Sequence, residues 1–94
     1  MRHTLLLTFD LNRASAEDYE TTFTVLAAIG LVPFSPAKRH RLPSTTVMGE
    51  THFSAQAVVA ALESALRARG IGLGRVAVMA TDGSWFVNGS LAAA

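Results

Sequence analysis

The stretch TLLLTFDLN, residues 4–12, is apolar along most of its length and carries one carboxylate, Asp10, near its end. Leu5, Leu7 and Phe9 alternate with Leu6, Thr8 and Asp10, so a strand over His3–Leu11 sends the two sets to opposite faces of a sheet. The first set is purely apolar and is expected to meet the core. The second set puts a leucine, a threonine and an acid on the other side. That acid is either a ligand for something, or a strand-end group that accepts backbone N–H bonds or starts a turn with Asn12.

Downstream of it, NRAS offers Ser15 as a helix N-cap with Asp18 three positions on. Tyr19, Phe23, Leu26 and Ala27 recur at helical spacing, and Gly30 is a stop signal, so a helix is expected over Ala16–Ile29. LVPF, residues 31–34, reads as a short strand at an edge or a strand end, because Pro33 cannot donate to a ladder. SPAKRHRLPS reads as a loop, and TTVMGE, residues 45–50, as a third strand with Gly49 a candidate bulge. Ser54 caps a second helix, Ala55–Arg69, striped by Val58, Leu62, Ala65 and Leu66. IGLG then reads as linker, RVAVMA (75–80) as a strand, TDG as a tight turn, SWFVN as a short fifth strand and LAAA as a frayed end.

The order strand, helix, strand, strand, helix, strand is that of an α+β, ferredoxin-like split βαβ fold (βαββαβ), here with the short fifth strand added. Right-handed crossovers place both helices on one face of an antiparallel sheet. The 94 residues are expected to form a single domain, 1–94.

Composition narrows the function classes. Half the residues are apolar and only 16% are charged, a surplus that a partner surface would absorb. A net charge of +1 gives no overall field to attract nucleic acid. The absence of cysteine excludes disulfides, thiolate metal sites and thiol catalysis. The apolar run after Arg2 and His3 is too short for a signal peptide, and no run approaches the ~20 residues that span a bilayer. A cytoplasmic protein with no membrane partner is the expectation.

With both helices over Leu5, Leu7 and Phe9, Asp10 falls on the helix-free face beside Thr8 and Leu6. Burying one leucine contributes about 1.5–3 kcal/mol, so a face with several such residues favours stacking on a second copy. In a symmetric homodimer, residues near the axis meet their own copies, and two Asp10 carboxylates would repel without a proton or cation between them. A hard cation such as Mg²⁺ suits carboxylate and water oxygens, and it could polarise a phosphodiester.

TFDLN at the end of the first strand, the helix around DYETTF, the LPSTTVMGE strand, the SAQAVVAAL helix and the RVAVMA strand together resemble the CRISPR-associated Cas-two fold. They are also similar to its small relatives, the VapD-type toxins and the GhoS-type antitoxin endoribonucleases. The resemblance covers roughly Thr4–Trp85 through short motifs. It implies ferredoxin-like protomers paired through their sheets, with Asp10 at the position of the metal-binding, catalytic Asp of the nuclease members. Ser44–Val47 is the nearest counterpart of a serine-bearing strand in those families. The chain differs in its proline-flanked PAKRHRLP loop and in having no second acid close to Asp10 in sequence.

Lys38, Arg39, His40 and Arg41 gather three of the eight Lys and Arg residues into one short run. Such a run is either a set of backbone-phosphate contacts or a solvated loop. Glu50 and His52 form a Glu-x-His pair that a metal could use, although a surface histidine before a helix is the plainer reading. Ser44, Thr45 and Thr46 carry hydroxyls with no base beside them in sequence, and β-propensity explains the threonines. Trp85 and Phe86 could stack on bases, with packing on the core or a partner the commoner use. GIGLG follows a helix rather than opening one, which is the wrong context for a dinucleotide site.

These features define two main readings. One is a dimeric protein that handles RNA or DNA; if catalytic, it is a metal-dependent endonuclease, more for RNA, with Asp10 on Mg²⁺ and Lys38, Arg39 and Arg41 on phosphates. The other is a non-catalytic interaction module (antitoxin, adaptor or inhibitor) with a protein partner. A third, weaker reading is a small-ligand or regulatory domain that dimerises around an effector pocket.

Overall fold

The computed structural model describes residues 3–34 and 41–81. Within them run β1 (His3–Asn12), α1 (Ala16–Ile29), β2 (Thr46–Thr51), α2 (Ala55–Ala68) and β3 (Gly72–Thr81). The sheet has the order β2-β1-β3, and β1 is antiparallel to both neighbours. α2 therefore carries the chain from one side of β1 to the other. Among the described residues the architecture is α+β, three antiparallel strands with two helices. Thr81, the first residue of TDG, ends β3, while Asp82 and Gly83, the SWFVN strand and the LAAA end lie outside the described residues.

β1 sorts its side chains as the period of two dictates. Leu5, Leu7, Phe9 and Leu11 are buried, while Thr8, Asp10 and Asn12 are exposed and Leu6 is half-buried. The buried set packs with Val47 of β2, Leu26 of α1, and Val58, Leu62 and Leu66 of α2. Both helices thus cover one face of the sheet. Phe9 adds ring contacts to Tyr19 and Phe23, with centroids 6.2 and 5.5 Å away.

The helix ends follow their local chemistry. Ser15 and Asp18 form a capping box, each side chain accepting from the other's backbone N–H. Gly30 closes α1 in the left-handed conformation, and Ser54 caps α2 through Ala57 N–H. The α2 stripe is as the spacing predicts, but α1 turns differently. Thr22 is fully buried and Ala27 is exposed. Thr22 tolerates burial because its hydroxyl donates to the Asp18 carbonyl at 2.8 Å.

Three sequence expectations change. LVPF forms no strand; Val32 makes an isolated bridge to Met48, with reciprocal N–H to carbonyl bonds of 3.0 and 2.9 Å. Pro33, with no N–H, serves only as acceptor, for Leu42 at 3.1 Å. Gly72–Gly74 of the supposed linker begin β3 instead. Gly49 is not a bulge, because β1 and β2 pair in unbroken register from His3–Thr51 to Thr8–Thr46. The register shift lies instead between Phe9 and Leu11, in the pairing with β3.

Candidate functional site: the helix-free face and the Asp10 bulge

Directly paired residues share a face, so the register reads off the helix-free side of the sheet. Leu6 pairs with Met48 on one side and Met79 on the other, and Met48 bridges to Val32. Val32, Met48, Leu6 and Met79 thus form an apolar row across that face. Thr46, Thr8 and Ala77 form the next row. Exposure along the apolar row is uneven. Met48 is only 1% exposed, Val32 and Leu6 are half-buried, and Met79 is 67% exposed. The face is therefore open mainly on its β1–β3 side rather than throughout.

Asp10 stands at the end of the same side. Phe9 pairs with Val76 and Leu11 with Leu73, so Gly74 and Arg75 together oppose the single residue Asp10. This is a bulge, which re-aims side chains and raises local twist. Glycine is required there: a Cβ on Gly74 would lie 2.9 Å from the Asp10 carbonyl oxygen and 3.1 Å from Asn12 Oδ1. The bulge sets Arg75 Nε 3.8 Å from Asp10 Oδ2, with side chains 94% and 63% exposed. Such exposed pairs contribute about 0–1 kcal/mol to stability. Thr8, Asp10, Gly74, Arg75 and Ala77 line an open depression at this point.

Among the described residues, the partner of the Asp10 carboxylate is an arginine, Arg75. Sequence reading missed Arg75. Its signal was the alternation of Arg75, Ala77 and Met79, but only the bulge brings Arg75 opposite Asp10.

The other sequence candidates divide. Phe9 N–H donates to the Thr45 carbonyl at 3.1 Å, which puts the Ser44–Thr45 turn at the Asp10 end of the sheet. The hydroxyls of Thr45 and Thr46 both donate to the Ser44 carbonyl, at 2.7 and 3.3 Å, so they build the turn. Arg41 is exposed, bridges to Phe34 and lays its guanidinium 5.8 Å from that ring's centroid. Lys38, Arg39 and His40 lie outside the described residues, as do Trp85 and Phe86. Glu50 pairs with Thr4, six positions from Asp10, or roughly 20 Å at about 3.3 Å per residue. His3, Glu50 and His52 therefore sit at the far end of β1 and do not join Asp10.

Among the described residues, no three His, Asp or Glu side chains gather into a group that could hold a metal ion. One carboxylate with a guanidinium against it does not suit a divalent cation, which takes several oxygen ligands. Among the described residues, Asp10 of one protomer brings a single carboxylate to such an ion. No helix among the described residues is long and apolar enough to cross a membrane. No family model matches the chain, and neither a curated protein nor a solved structure was found to match it.

Proposed function

We propose that the chain is a ferredoxin-like module of the Cas-two, VapD and GhoS kind that dimerises through its helix-free sheet face and handles nucleic acid. The observation that carries the reading is the apolar row Val32–Met48–Leu6–Met79, which ends in a methionine 67% exposed. A second copy would cover it. The ferredoxin-like assignment is supported by the α2 crossover over β1 and by Val32, which bonds to the free edge of β2 where a fourth strand would lie. The nucleic-acid assignment is supported by Arg41, exposed over Phe34 and the last member of the Lys38–Arg41 run. Lys38, Arg39 and Arg41 would contact backbone phosphates, with RNA the favoured substrate.

The pairing of Asp10 with Arg75 favours binding over catalysis. The alternative, a metal-dependent endoribonuclease with Asp10 as the catalytic metal ligand, rests on the resemblance and requires a second copy to supply another carboxylate. A non-catalytic antitoxin, adaptor or inhibitor would use the same face or the basic run on a protein. Titration with a fluorescent single-stranded RNA at low salt tests the proposal. Replacing Lys38, Arg39 and Arg41 together by Ala should weaken binding and flatten its salt dependence; unchanged affinity would refute the basic-run assignment.

A further inference from the structure

Resting on the dimer reading above, we propose that Asp10 and Arg75 form a reciprocal charge seam between two copies of this chain, Asp10 of each meeting Arg75 of the other. The argument begins with the bulge. It places a positive and a negative side chain next to one another on the face that carries the apolar row. Arg75, Ala77 and Met79 alternate on β3, as Asp10, Thr8 and Leu6 do on β1, so the charges adjoin the apolar residues.

The contact within one chain is loose. It is 3.8 Å through Nε, and the arginine side chain is 94% exposed. A guanidinium carries five N–H donors, so Arg75 can hold its own Asp10 weakly and still present terminal nitrogens outward.

An isologous interface needs a patch complementary to itself. Two facing Asp10 residues alone would not be, because like charges at close range disfavour ionisation of both. A neighbouring plus and minus are complementary: a twofold axis between the two pairs sets each arginine against the opposite acid. The seam needs no metal ion to neutralise the carboxylates. Arg75 is thus an interface residue that takes the place of a bridging cation.

Sedimentation equilibrium at low salt tests this with Asp10→Arg, which makes the patch wholly positive, and Arg75→Glu, which makes it wholly negative. Each variant alone should dimerise at least tenfold more weakly than the parent. An equimolar mixture should recover parental association as a heterodimer, which native mass spectrometry identifies. The double variant D10R/R75E should dimerise like the parent, and Asp10→Asn with Arg75→Gln gives a milder pair should either reversal disturb the fold. Chelator should leave the parent dimer intact. Parental association of both single variants, no gain on mixing, or dissociation by chelator would each overturn the seam. In those cases the parent without chelator is still dimeric; a parent that is monomeric at high concentration without chelator overturns the dimer itself.

Discussion

Gly49 of β2 faces the carbonyl oxygen of Gly30 at the end of α1, and the approach leaves no space for a methyl group at either residue. A Cβ on Gly49 would collide with that carbonyl, and one on Gly30 would lie 2.7 Å from the carbonyl oxygen of Glu50. Gly30 also holds φ at +105°, which side chains resist. Backbone meets backbone on both sides, so neither neighbour can swing aside.

Gly49→Ala is therefore expected to destabilise the domain by about 1–3 kcal/mol or more, as overpacking does. Urea unfolding followed by circular dichroism measures it. An unchanged midpoint would show that α1 does not dock on β2 this closely.

The α1 cap gives a second stability prediction. Ser15 accepts from Asp18 N–H while Asp18 accepts from Ser15 N–H, both exposed at the helix start. Ser15→Ala should cost about 1 kcal/mol. Thr22→Val, by contrast, keeps the shape of a buried side chain whose hydroxyl bonds only to a helix carbonyl, and should change stability by less than about 1 kcal/mol. A large loss at Thr22 with none at Ser15 would contradict this assignment.

Asp10→Asn separates a structural from a catalytic acid. The ion pair within one chain is exposed, so at concentrations where parent and variant are both monomeric the variant should unfold at nearly the parental midpoint. If the protein binds nucleic acid without cutting it, parent and variant should leave RNA intact with or without Mg²⁺. Chelator-sensitive cleavage by the parent that Asp10→Asn abolishes would establish the endonuclease alternative instead.

The sequence held more of the sheet than of the site. The alternation in β1 is written in Leu5, Leu7 and Phe9, and it put Asp10 on the correct face because period two leaves no other choice. The caps at Ser15 and Ser54 were equally legible, since a cap is satisfied within a few residues of itself. What the sequence could not display depends on register. Arg75 lies far from Asp10 along the chain, and only the extra residue at Gly74–Arg75 brings the two opposite one another. Gly49 looked like a bulge because strand glycines often are one; its reason is the close passage of Gly30, a tertiary contact. LVPF is apolar enough for a strand, yet Pro33, which has no N–H, interrupts it and leaves two isolated bridges, Val32–Met48 and Phe34–Arg41. Thr22 was overlooked because a hydroxyl reads as polar until its partner, the Asp18 carbonyl, is seen.

The central claim is that a second copy covers the open end of the apolar row, and Met79 tests it most directly because it is 67% exposed and free of the monomer's core. Sedimentation equilibrium on the parent should give twice the chain mass, and Met79→Lys should give the chain mass while keeping the parental circular dichroism spectrum. A monomeric parent at high concentration, or a Met79→Lys protein that associates as tightly as the parent, would contradict the account.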